Sequence, residues 1–94
     1  MIDTRDFLLL AYAAFGGRIQ GKTNLQKKGY FLGVLVGADL GYGPHYYGPY
    51  SAELSNANSE LISLGYVREV VLGVGQVSED GFEIARHEIG RAHV

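Results

Sequence analysis

The sequence contains no cysteine and no tryptophan, only two prolines, and a charged fraction of 19%. Without cysteine the chain has neither a disulfide scaffold nor a thiolate-ligated zinc site, so its apolar core must supply the stability. Such a composition suits a reducing compartment, and we expect a cytoplasmic protein. The longest apolar stretches, 7–15 and 30–38, are roughly half as long as a bilayer span, and no signal-peptide pattern precedes them. The sequence therefore predicts no membrane segment.

The 94 residues, 47% of them hydrophobic, are enough for one compact domain, and no repeat or long linker divides the range 1–94. The net charge is −2, but the range 1–47 carries five basic and three acidic residues, against three basic and seven acidic in 48–94. A thinly charged surface that includes seven tyrosines favours association. We therefore expect a homodimer or a protein partner.

Apolar spacing and capping residues predict three helices in the first two thirds of the chain. Helix one covers about 4–15 and ends at Gly16-Gly17, with an apolar face formed by Phe7, Leu10, Ala11 and Ala14. A short strand at 18–20 follows. Helix two runs from about Asn24 to Asp39, and helix three runs from the cap Ser51 to Gly65, which is expected to be left-handed. Leu54, Ala57, Leu61 and Ile62 are expected to face inward from helix three.

Two features of helix two lead to local predictions. Thr23 and Gln26 have the spacing of a capping box, in which each side chain bonds the other residue's backbone. Gly29, Gly33 and Gly37 lie four apart on one face, at a helix-propensity cost of about 1 kcal/mol each. We expect another helix to pack closely against this glycine stripe.

The remaining chain predicts a hairpin and a final helix. The hairpin consists of a strand at 66–72, a turn at 73–75 and a return strand that starts at 76–77. Ser78 is expected to cap the last helix, in which Phe82, Ala85 and Ile89 share one side. The range 41–50, with two prolines and four tyrosines, is an irregular loop.

The pattern from Gly16 to Thr23 matches the phosphate-loop motif G-x-x-x-x-G-K-T. That motif requires a preceding strand and a sheet that supplies a further acidic magnesium ligand, and neither is predicted here, so we do not expect nucleotide binding. The three histidines, His45, His87 and His93, lack metal-ligand spacing. No catalytic arrangement is assigned, and we expect a protein without enzymatic activity, metal or cofactor.

The order helix, short strand, helix, helix, hairpin, helix predicts an α+β winged helix. The segments 21–28 (GKTNLQKK), 46–54 (YYGPYSAEL) and 64–67 (LGYV) resemble a little-characterised family of prokaryotic winged-helix proteins. The segment 77–85 is similar to the tail that follows the wing in many winged-helix regulators. Antitoxin-like and phage-associated proteins share a broadly similar pattern. The resemblance covers nearly the whole chain and implies a winged helix-turn-helix fold.

A winged helix implies binding of double-stranded DNA, with helix three in the major groove and a role in transcription regulation. Asn56 can pair with adenine. However, helix three has no basic residue, Glu53 and Glu60 are expected to face phosphates, and the connection between helices two and three is unusually long. The candidate DNA-binding residues are Lys22, Lys27, Lys28, Ser55, Asn56, Ser59 and Arg68.

The alternative is a protein interaction module. Rigid tyrosines on a proline-fixed loop lose little entropy on binding, and tyrosine is common at interface hot spots. The candidate partner-binding residues are Tyr42, Tyr46, Tyr47 and Tyr50. Two or three of these tyrosines can equally be expected to cover the junction of helices two and three.

Overall fold

The structure, a computed structural model, describes residues 3–44, 48–74 and 77–85. These residues form three helices and a three-stranded antiparallel sheet, so the α+β class is confirmed. The elements in chain order are α1 (Thr4–Ala14), β1 (Arg18–Ile19), α2 (Gly21–Val36), α3 (Ala52–Leu64), β2 (Val67–Val74) and β3 (Val77–Ile84). The strand order in the sheet is β1-β3-β2.

Helix α1 begins where the Asp3 side chain accepts a hydrogen bond from the Arg5 N–H, which also lowers the pKa of Asp3. The helix ends before Gly16 and Gly17, both of which have positive φ, as the sequence predicts. Its buried face differs from the expected one, because Leu10 is 49% exposed. The residues that α1 buries completely are Phe7, Leu8, Ala11 and Tyr12.

Helix α2 begins three residues earlier than predicted. Gly21 has a φ of 85°, a value that favours glycine, and the chain turns there from β1 into the helix. Thr23 consequently lies inside the helix, and the predicted capping box with Gln26 is wrong. The helix ends at Val36 with the left-handed Gly37 as its cap, three residues before the expected end at Asp39.

The glycine stripe of α2 makes the predicted close helix contact at one position only. A Cβ atom on Gly29 would lie 2.5 Å from Cδ2 of Leu54 in α3 and 2.9 Å from the hydroxyl of Tyr42. At Gly33 the nearest atom would be 3.5 Å away, which is ordinary contact. Gly37 is a helix cap with nothing near its Cβ position.

Helix α3 has the predicted caps. Ser51 accepts a hydrogen bond from the Leu54 N–H, and Gly65 is left-handed with a φ of 87°. Leu54, Ala57 and Leu61 are buried as expected, and Ile62 is half-buried.

The return strand of the hairpin is longer than predicted, since residues 77–84 form strand β3 where a helix capped by Ser78 was expected. Strand β3 pairs with β2 along its whole length and with β1 at Arg18 and Ile19. Phe82 and Ala85 are buried, but they face the core from a strand and its end. Strand β2 extends through Gly73 and Val74, so the turn predicted at 73–75 begins too early. Gly75, Gln76 and Ile89 lie outside the described residues.

The close contact at Gly29 gives a test of the helix packing. In Gly29→Ala the new methyl group must displace the fully buried Leu54 side chain, whereas Gly33→Ala meets no close atom. Both substitutions gain the same helix propensity, so their difference isolates the overpacking. We expect Gly29→Ala to have a free energy of unfolding lower than that of Gly33→Ala by ~1 to 3 kcal/mol, measured by denaturant titration. Equal stabilities would contradict the close contact.

Candidate functional site

A buried pair of hydrogen bonds fixes the start of α3 against α2. The Gln26 amide in α2 donates to the Ser51 carbonyl at 3.0 Å and accepts from the Ser51 N–H at 2.8 Å. The Ser51 hydroxyl donates to the Leu40 carbonyl and accepts from the Leu54 N–H at 3.0 Å. Gln26 is 7% exposed and Ser51 is fully buried. These bonds therefore determine where the loop up to Tyr50 meets both helices.

A cleft of about 400 Å³ opens beside this pair, and we call it the α2–α3 cleft. The first turns of α2, one flank of α3, the loop at 48–50 and the sheet form its walls. Ser55, Ser59 and Ile62 stand three and four residues apart, so they share the flank of α3 that faces the cleft. The lining residues are Lys22, Thr23, Leu25, Gln26, Gly48, Pro49, Tyr50, Ser55, Asn58, Ser59, Ile62, Glu69 and Phe82.

Asn58 supplies a polar group between the core and the cleft. Its Oδ1 accepts a hydrogen bond of 2.6 Å from the hydroxyl of Tyr12, which is fully buried in α1. Burial raises the pKa of the Tyr12 hydroxyl well above its ordinary value, so Tyr12 remains a neutral donor. This bond joins α1 to α3 and orients the Asn58 amide.

The structure brings together three of the predicted DNA-binding residues, since Lys22, Ser55 and Ser59 all line the α2–α3 cleft. Asn56 is exposed on α3, outside the cleft lining. The sequence did not single out Asn58, Glu69 or Phe82 for this site. They are far apart in the chain, and no local pattern marks them.

The other predicted cations point elsewhere. Lys27 is exposed on α2, and the Lys28 ammonium lies 5.2 Å from the ring centroid of Phe15, at the end of α1. Arg68 pairs across the sheet with Glu83, whereas its neighbour Glu69 pairs with the buried Phe82. Successive strand residues face opposite sides, so Arg68 lies on the face of the sheet away from the cleft.

Glu83 links two strands on that outer face. Its carboxylate accepts hydrogen bonds from the guanidinium groups of Arg18, at 2.8 Å and 3.2 Å, and of Arg68, at 2.7 Å. The two arginines hold the pKa of Glu83 below its usual range, with Arg18 as the larger cause. The Arg18 and Arg68 side chains remain more than half exposed.

The two acidic residues of α3 are exposed, as expected, but each also contacts a side chain of α1. The Glu53 carboxylate accepts a hydrogen bond of 2.9 Å from the Thr4 hydroxyl, and the Glu60 carboxylate lies 3.6 Å from the Arg5 guanidinium. Both partners belong to α1, so these carboxylates occupy the flank of α3 opposite the cleft.

Of the candidate partner-binding tyrosines, Tyr42 is part of the fold. Its hydroxyl donates to the Gln26 carbonyl at 3.3 Å, and its ring packs edge-on against Tyr30 with centroids 5.1 Å apart. Burial raises the pKa of Tyr42 to about 12. Tyr50 is 37% exposed and forms a β-bridge with Gly43. Tyr46 and Tyr47 lie outside the described residues.

The second half of α2 carries exposed apolar side chains, which we call the α2 apolar stripe. Phe31, Val34 and Leu35 are 58%, 65% and 65% exposed. Tyr30 and Val36, at 42% and 53%, flank them. Contiguous exposed apolar surface on a small protein marks an interaction site.

The phosphate-loop pattern has a different structural context from a true phosphate loop, because helix α1 precedes Gly16 and the short strand β1 lies inside the pattern. Within the described ranges no cluster of three or more histidine, cysteine or acidic side chains is placed to hold a metal ion. The three histidines lie outside those ranges. No helix in the described part of the chain combines the length and hydropathy of a membrane span.

Comparison with known proteins returned no matching protein family, no matching curated protein and no matching solved structure.

The Gln26 and Ser51 pair gives a test of how the site is held. Gln26→Met keeps the length of the side chain but leaves the buried N–H and carbonyl of Ser51 without partners. Each unpaired buried group costs about 1 to 3 kcal/mol, so we expect the free energy of unfolding to fall by at least about 2 kcal/mol. Denaturant titration checks this, with the exposed neighbour substitution Lys27→Met as the control. A Gln26→Met protein as stable as Lys27→Met would contradict the role of the pair.

Proposed function

We propose that this protein is a small winged helix that binds double-stranded DNA through α3. The observation that carries this proposal is the element order together with the packing of α2 against β3 and of α3 against β2, the two strands of the hairpin. In a helix-turn-helix protein, the second helix of the motif enters the major groove, and here that helix is α3. Binding, not catalysis, is the activity proposed.

The exposed surface of α3 supports a DNA contact through its uncharged polar side chains, although it also carries the exposed Glu53 and Glu60. Asn56, Ser59 and Ser63 are exposed, and Asn56 can donate to and accept from adenine in the major groove. Thr4 donates a hydrogen bond to Glu53, and Arg5 pairs with Glu60. The Arg5 charge reduces the repulsion between Glu60 and a nearby phosphate. Lys22, on the wall of the cleft beside α3, supplies a cation for a backbone phosphate.

DNA binding is tested with a random-sequence duplex at increasing salt, by fluorescence anisotropy. Lys22→Gln removes one phosphate contact and should reduce the slope of log K against log salt by about 0.9. Lys28→Gln, whose ammonium lies over Phe15, is the matched control and should leave the slope unchanged. Asn56→Ala should cost ~1 to 3 kcal/mol on a selected site and almost nothing on random DNA. No binding to any duplex at low salt would contradict the proposal.

A second candidate function, self-association, is favoured by the α2 apolar stripe. In an antiparallel pair of α2 helices, Lys27 of one copy would lie toward the carboxyl end of the other copy's helix, and Asp39 follows that end three residues beyond Val36. Both residues are exposed and of opposite charge. The apolar centre and its two charged ends are therefore self-complementary, as an isologous dimer requires.

The dimer is tested by sedimentation equilibrium. Val34→Glu places a charge at the centre of the α2 apolar stripe and should shift the protein to monomer, while Ser63→Glu on α3 should leave the association unchanged. Lys27→Glu should weaken the dimer, and the double substitution Lys27→Glu with Asp39→Lys should restore it. An unchanged association constant in Val34→Glu, or a wild-type protein that is monomeric at all concentrations, would contradict this arrangement.

A further inference from the structure

We propose that the α2–α3 cleft is a binding site for a small organic anion, whose carboxylate or phosphate group lies against the first turn of α2 and whose apolar body lies on the cleft floor. The proposal does not depend on DNA binding. It rests on unpaired donors that converge on one cavity.

The amide of Asn58 is the first of these donors. Asn58 is only 4% exposed. Its Oδ1 accepts the hydrogen bond from the Tyr12 hydroxyl, which leaves the amide nitrogen. The other amide atom has no hydrogen-bond partner among the described residues. Among the described residues, every side-chain nitrogen or oxygen that is fully enclosed has a hydrogen-bond partner. The unpartnered Asn58 nitrogen is therefore accessible to solvent, and Asn58 lines the cleft. A donor held in this position is satisfied by an acceptor inside the cleft.

The first turn of α2 supplies the second set of donors. The N–H groups of Lys22 and Thr23 donate to no described residue. The Gln20 side chain does not cap the helix, and no acidic residue lies in the first turn. A helix start of this kind carries partial positive charge and attracts an anion, and the Lys22 ammonium adds a full charge.

Three hydroxyl groups complete the polar wall. Thr23, Ser55 and Ser59 all line the cleft, and their hydroxyls have no hydrogen-bond partner in the described ranges. Among the described lining residues, Glu69 on strand β2 carries the only carboxylate. The anionic group is therefore directed to the α2 end, away from Glu69.

The rest of the cleft is apolar and of suitable size. Leu25, Ile62 and Phe82 form apolar lining from α2, α3 and β3, and the Pro49 ring lines the loop side. A volume of about 400 Å³ lies in the range of small-molecule sites, which combine apolar walls with a few convergent polar groups. An aromatic carboxylate or an aryl phosphate monoester has the required shape and charge.

The test is an NMR titration of the isotope-labelled protein with phenyl phosphate, benzoate and inorganic phosphate. We expect saturable shifts of the backbone amides of Lys22 and Thr23 and of the side-chain amide of Asn58 with the two aromatic anions. Inorganic phosphate should bind more weakly, because it lacks the apolar body.

Matched variants locate the site. Lys22→Gln removes a charge-assisted hydrogen bond and should weaken binding at least about tenfold, whereas Lys27→Gln, on an exposed position of the same helix, should have no effect. Ser59→Asp places a carboxylate at the cleft and should abolish binding, while Ser63→Asp on the outer surface of α3 should not. All four positions are exposed, so folding is expected to be preserved and is checked by thermal melting.

Three results would overturn the proposal. The first is the absence of saturable shifts with either aromatic anion. The second is equal affinity for phenyl phosphate and inorganic phosphate, which would indicate a helix-start anion contact without a built cleft. The third is a short DNA duplex that shifts the same amides when the aromatic anions do not, which would identify the anion as a DNA phosphate. Failure of the duplex to bind, with the aromatic anions still bound, would contradict only the proposed DNA function.

Discussion

The paired hydrogen bonds between the Gln26 amide and the backbone of Ser51 are the constraint on which the described structure depends. A buried backbone N–H and carbonyl must be satisfied, and here one side chain from α2 satisfies both at the residue that also caps α3. The start of α3 is thus defined by tertiary contact as well as by its own cap. Gly29, about one helical turn further along α2, lies close to Leu54, which is in the first turn of α3. This contact also depends on the position of Ser51, because Ser51 determines where α3 begins.

The α2–α3 cleft is a consequence of that constraint. Because Ser51 is fixed at the level of Gln26, the loop residues 48–50 are held beside the first turns of α2, and the flank of α3 that carries Ser55 and Ser59 faces them across a gap. The sheet closes the far side through Phe82. The bond from Tyr12 to Asn58 fixes the amide of Asn58 from the opposite direction. Polar groups from α2 and α3 are therefore oriented before any ligand arrives, which lowers the entropic cost of binding.

Local signals in the sequence identify those features that a few neighbouring residues determine. The caps of α3, Ser51 and Gly65, and the end of α1 at Gly16 were predictable because they depend on short-range bonds and positive φ. The capping box was not, because the Gln26 side chain has a distant partner in Ser51. Strand β3 was mistaken for a helix because Phe82 and Ala85 are three apart, whereas pairing with both β1 and β2 determines its conformation. The cleft was not predictable, since Asn58, Glu69 and Phe82 meet only in the folded chain.

The distribution of cations links the DNA proposal to self-association. Lys22, Lys27 and Lys28 are close in sequence, but they point toward the cleft, solvent and Phe15, so a single copy presents one described lysine beside α3. Nonspecific affinity for DNA rises with the number of phosphates that are neutralised, and one contact supplies little. The proposed dimer through the α2 apolar stripe contains two α3 helices and two Lys22 side chains, which doubles the number of such contacts. Of the described cations beside α3, Arg5 already pairs with Glu60, so the proposed DNA contact depends on the second Lys22 that the proposed dimer supplies.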